Sequence, residues 1–67
     1  MDKLLFRTRR EAEETADDMR GWDTRIRRWL GTDEDGETLM GWVIECREPG
    51  APRNSNPLYL REDGYIR

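Results

Sequence analysis

The sequence predicts an α+β domain: a single short helix packed on a mostly antiparallel sheet, in the order β-α-β-β-β-β. Three observations predict it. Thr8–Glu11 has the form of a helix capping box, and Gly21 supplies the matching stop. Residues 22–30 and 37–48 alternate in polarity with period two. The pair Asp63-Gly64 stands between two further alternating stretches, a short-range hairpin signal. With 67 residues there is room for one small domain spanning positions 1–67 and no second one.

Lys3–Arg7 reads as a short strand, with Leu4 and Phe6 on one face and Lys3, Leu5 and Arg7 on the other. The helix follows. The Thr8 hydroxyl oxygen can accept from the amide of Glu11, and the Glu11 side chain can reach back. It should run to about Arg20 and stop at Gly21, showing a thin apolar stripe of Ala12, Ala16 and Met19. Arg9–Glu13 and Arg10–Glu14 fall at the i,i+4 spacing of helical ion pairs. Asp17 and Asp18 fall in the last turn, where the helix dipole disfavours acids.

In the next strand, Trp22, Thr24, Ile26, Arg28 and Leu30 share one face, and Asp23, Arg25, Arg27 and Trp29 the other. Gly31–Gly36 is an acidic turn. Residues 37–48 give the clearest strand, placing Met40, Trp42, Ile44 and Cys46 opposite Leu39, Gly41, Val43, Glu45 and Arg47. Pro49–Pro57 is a loop long enough to carry function. Leu58–Arg61 and Tyr65–Arg67 form the closing hairpin around Glu62, Asp63 and Gly64. The expected core is Leu4, Phe6, Ala12, Ala16, Met19, Ile26, Trp42, Ile44, Cys46, Leu58 and Leu60.

Composition then narrows the function. The chain has no His, which removes the commonest general base, the Ser–His and Cys–His pairs, and the usual metal ligand. Its one Cys, Cys46, can form neither an intrachain disulfide nor a Cys-cluster zinc site, and points to a reducing cytoplasm. In the apolar set of its strand, Cys46 reads as a small core hydrophobe rather than a reactive thiol. The apolar run Leu4–Phe6 is far shorter than the roughly 7–15 residues of a signal peptide, and no run reaches the ~18 of a spanning helix. The expectation is a protein of the bacterial cytoplasm with no membrane partner. Fifteen acids against twelve bases give a net charge of −3, which weighs against non-specific nucleic-acid binding.

Three constellations remain. The acids of Asp33–Glu37 suggest a calcium loop. With Gly36 at the sixth position, however, the first and twelfth would be Gly31 and Trp42, neither a ligand. No metal and no cofactor are expected. Arg25 and Arg27, with Trp29 on their face and Arg28 and Trp22 nearby, are the residue types that hold phosphates and stack bases. The acids form two groups, Glu13, Glu14, Asp17 and Asp18 on the helix, and Asp33, Glu34, Asp35 and Glu37 in the turn. Such a surface suits a positively charged protein groove, where complementary potentials speed association and select the partner.

A very small acidic chain with one helix on an antiparallel sheet, the Glu13–Asp18 helix face, the Asp33–Glu37 turn and no catalytic set resembles the phage-encoded inhibitors of the anti-CRISPR type. The resemblance implies a non-catalytic inhibitor that presents acids to a protein or nucleoprotein complex with a basic groove. Arg25, Arg27 and Trp29 would anchor the contact, as Arg and Trp commonly do. Two alternatives stand beside it. One is a single-stranded nucleic-acid binder using the Arg/Trp strand. The other is a self-assembling accessory protein, a dimer through an exposed sheet edge or face. Across these readings the expected state in solution is a monomer or a dimer.

Overall fold

The structure, a computed structural model, describes residues 3–67. Met1 and Asp2, the first two positions of the domain read from the sequence, lie outside the described residues. The architecture is α+β, one helix on a three-stranded antiparallel sheet.

Helix α1 spans Arg9–Asp17. Thr8 is extended and its Oγ1 accepts the Glu11 amide at 3.1 Å, as the capping box requires. Arg9–Glu13 and Arg10–Glu14 pair at 2.9 and 3.3 Å on the exposed surface, worth a few tenths of a kcal/mol each at about the i,i+4 value. The helix ends three residues before Arg20, the expected end. The amides of Asp18 and Met19 turn back to the carbonyls of Thr15 and Ala16, tightening the last turn. No base stands in that turn to offset Asp17 and Asp18 against the dipole. Gly21, at φ +87°, then swings the chain into the sheet.

Strand β1 (Asp23–Thr32) and strand β2 (Thr38–Arg47) form a long hairpin in which Asp23 faces Arg47, Ile26 faces Ile44 and Thr32 faces Thr38. Strand β3 (Leu58–Tyr59) pairs on the other side of β2, giving the order β1-β2-β3. Two segments expected as full strands are reduced to single bridges. Phe6 exchanges two 2.9 Å bonds with Trp42, whereas Leu4 donates to Leu60 and Lys3 bridges Arg61. The segment changes partner midway, so no continuous ladder forms. At the other end Leu60 bridges Ile66, and Tyr59 and Arg67 exchange bonds of 3.2 Å. The order β-α-β-β-β-β therefore contracts to one helix and three strands, with the N-terminal segment pinned to Trp42 and Arg61 and the C-terminal one to Tyr59 and Leu60.

The core lies between α1 and the sheet. Ala12, Ile44 and Cys46 are fully buried, ringed by Phe6, Ala16, Met19, Trp22, Ile26, Trp42, Leu58, Leu60 and Ile66. Leu4, expected in this core, is half-buried and outside the cluster. The opposite face is also covered. Val43 and Gly41 are buried there, and Glu45 is only 8% exposed. The Lys3 ammonium lies 4.5 Å from the Trp29 ring centre and 4.8 Å from that of Tyr59. It thus spans from β1 to β3 across β2. Leu5 packs over Gly41, where an added Cβ would sit 3.3 Å from it.

Candidate functional site

The hairpin turn is built by its own aspartate. The Asp33 carboxylate accepts the amides of Asp35 at 3.0 Å and Glu37 at 2.8 Å, and Gly36 takes the left-handed conformation that closes the loop. Asp33 therefore serves the turn. Glu34, Asp35 and Glu37 are exposed and form no ion pair among the described residues. Directly behind them, Leu30 and Met40 stand opposite each other in the register, 63% and 60% exposed. By alternation they share the face of Ile26 and Ile44, the face that α1 covers. The helix starts beside Trp42, since Thr8 follows the Phe6 bridge and the Arg9 guanidinium lies 5.8 Å from the Trp42 ring centre. It then runs away from the turn, toward the start of β1, and leaves the Leu30–Met40 pair bare.

The same geometry separates the two acidic groups. Glu13 and Glu14 are exposed but tied to Arg9 and Arg10. Asp17 and Asp18 are exposed at the helix end that leads into Asp23. The turn lies at the far end of β1, ten residues on, roughly 30 Å at strand rise.

Arg25 and Arg27 lie on the open sheet face, as alternation placed them. They line a shallow depression of about 550 Å³ together with Asp23, Glu45, Arg47, Ala51 and Arg53. Glu45 accepts Arg27 Nε at 3.3 Å and pairs with Arg47 Nη2 at 3.5 Å. Arg47 Nη1 also donates to the Arg53 carbonyl at 2.8 Å, which folds the Pro49–Pro57 loop back over the sheet. Trp29 shares this face but is not an open platform. Its indole Nε1 is buried without a hydrogen-bond partner, and Lys3 covers its ring. Trp22 packs in the core, and Arg28 lies on the helix side, 5.7 Å from the Trp42 ring centre. The Arg/Trp cluster is thus divided between two faces and offers no continuous stacking surface.

Cys46 is fully buried. Burial pushes its thiol up, opposed by a backbone hydrogen bond at Leu60 and reinforced by the Glu45 charge. It is placed as a core residue, not as a nucleophile. Among the described residues no group of three or more His, Cys, Asp or Glu is positioned to hold a metal ion, and no helix is long and apolar enough to cross a membrane.

Sequence reasoning missed Leu30 and Met40 as a surface pair, and Arg47 and Arg53 as partners of Arg25 and Arg27. The first pair was available from the hairpin register. The second needed the fold-back of the loop. Comparison with protein-family models, curated proteins and solved structures finds no match to this chain.

Proposed function

We propose that the chain is a non-catalytic protein-binding inhibitor, of the anti-CRISPR kind, that works by occupying the surface of a larger partner. The observation that carries this reading is the tip of the β1–β2 hairpin. Leu30 and Met40 expose an apolar pair across the ribbon, and Glu34, Asp35 and Glu37 add negative charge just beyond it at the turn. An apolar side chain left in water forgoes on the order of 1–2 kcal/mol that burial would supply. An apolar centre with a charged rim is the usual anatomy of a protein contact.

The complementary partner carries an apolar recess rimmed by Lys and Arg, as a protein built to grip phosphates does. Acids seated there compete with nucleic acid for the same bases. The partner is therefore a nucleic-acid-handling protein or complex of the bacterial cytoplasm. The acids at the helix end lie too far along β1 to crowd the same recess and belong to the rim or to solvent.

The test is affinity capture from bacterial lysate, with and without nuclease, read by mass spectrometry. Wild-type protein should retain a basic nucleic-acid-handling complex after nuclease treatment. The Leu30→Ser/Met40→Ser double variant should lose it, and Glu34→Gln/Asp35→Asn/Glu37→Gln should weaken binding and flatten its salt dependence. Identical capture by the double variant would overturn the reading. A concentration-dependent mass abolished by that variant would also overturn it, by assigning the pair to a second copy of the chain.

A further inference from the structure

We infer that the depression on the open sheet face binds a small oligophosphate through its arginines. Four arginines, Arg25, Arg27, Arg47 and Arg53, line it, against two acids, Asp23 and Glu45. They arrive from three segments. Arg25 and Arg27 lie two apart on β1, Arg47 ends β2, and Arg53 is delivered by the loop.

The local pairing leaves a surplus of donors. Glu45 engages Arg27 only through Nε, so both Nη groups of Arg27 remain available. Arg47 is spent on Glu45 and on the Arg53 carbonyl, which fixes it as the post that holds the loop. Arg25 and Arg53 have no ion-pair partner among the described residues. A guanidinium offers five N–H donors in a planar fork that matches two oxygens of a phosphate. Three arginines with unspent donors lining one recess favour a multiply charged anion.

Size and lining specify the class further. A recess of about 550 Å³ is of small-molecule scale and exceeds a single phosphate group. Its lining has no aromatic ring, and Ala51 is its one apolar residue, so recognition rests on phosphate oxygens and not on a stacked base. The net charge of −3 disfavours a long nucleic-acid strand running on across the acidic remainder. A compact chain of phosphates, free or at the end of a nucleotide, fits both facts. This site is separate from the apolar pair of the hairpin tip: Arg25 and Arg27 lie on the opposite face of β1 from Leu30.

The experiment is isothermal titration of the full chain with tripolyphosphate at low ionic strength, beside orthophosphate and a single-stranded oligonucleotide. Saturable binding of one tripolyphosphate is expected, weaker for orthophosphate and declining with salt. The Arg25→Gln/Arg53→Gln variant touches no ion pair of the fold and should bind about tenfold or more weakly, with unchanged thermal unfolding. The Arg9→Gln/Arg10→Gln variant removes equal charge from the helix and should bind as wild type. Absence of saturable tripolyphosphate binding, equal loss in both variants, or binding of the oligonucleotide alone would each overturn the proposal.

Discussion

Replacing Gly41 by alanine should loosen the N-terminal segment from the sheet. An added Cβ would sit 3.0 Å from the Phe6 carbonyl oxygen and 3.3 Å from two atoms of Leu5. The end of the Leu5 side chain can swing aside. The Phe6 carbonyl cannot, because it accepts the Trp42 amide at 2.9 Å in one half of the bridge that ties the segment to β2. Overpacking of this kind costs about 1–3 kcal/mol. Weakening the two bridge bonds adds about 1 kcal/mol for each one lost. Against this, a Gly-to-Ala change restricts the unfolded chain and returns about 0.4–1 kcal/mol. The clash wins, and the net expectation is destabilisation by about 1–3 kcal/mol, a large part of the roughly 3–10 kcal/mol expected for a domain of this length. Urea unfolding followed by tryptophan fluorescence measures the loss, and amide hydrogen exchange at Phe6 and Trp42 localises it. Stability within about 0.5 kcal/mol of wild type, with unchanged protection of those two amides, would refute the reasoning. Gly50→Ala separates the two mechanisms. Its Cβ would meet nothing within 4 Å but would occupy φ +83°, so a cost of about 1–2 kcal/mol there reports backbone strain alone.

Two further outcomes follow from the buried groups. Glu45→Gln removes a nearly buried carboxylate charge that two arginines share; because Arg27 is about half exposed, the cost should be about 1–2 kcal/mol rather than the larger value of a fully buried pair. A double-mutant cycle with Arg27→Ala checks it, and strict additivity would show that the pair is not coupled. The Cys46 thiol is held protonated by burial, so the unfolded chain loses this proton first as pH rises. The thiol's contribution to stability should therefore be level below the ordinary thiol value near pH ~8.5 and fall above it by about 1.4 kcal/mol per pH unit until the folded thiol itself ionises. Cys46→Ala should remove that component of the slope in chemical denaturation across pH, and an unchanged slope would contradict it.

The parts of the fold set by local chemistry were legible in the sequence. Thr8 marked the helix start because its hydroxyl can bond the Glu11 amide whatever the tertiary structure. The period-two alternation of β1 and β2 placed Arg25 and Arg27 on one face and Ile44 and Cys46 on the other. What failed depended on residues meeting from distant segments. Val43 and Glu45 read as outward-facing, yet they are buried under a second layer to which Lys3, Leu5, Trp29 and Tyr59 contribute. No short window of sequence contains that layer. Leu58–Arg61 and Lys3–Arg7 were recognisable as extended, but the switch of partner from Arg61 to Trp42 within four residues was not. The bareness of Leu30 and Met40 follows from a helix only nine residues long that points away from them, a matter of reach and direction rather than of local pattern.

Lys3 is the only lysine in the chain, and its ammonium is lodged between the rings of Trp29 and Tyr59. Acylating reagents thus find a single side-chain amine, and it reacts more slowly while the two rings hold it. The rate of that one modification becomes a gauge of how often the ammonium leaves the two rings. A dye or support attached there, by contrast, would displace the very layer that borders the arginines. Coupling chemistry that is harmless on most proteins would here act as a structural perturbation.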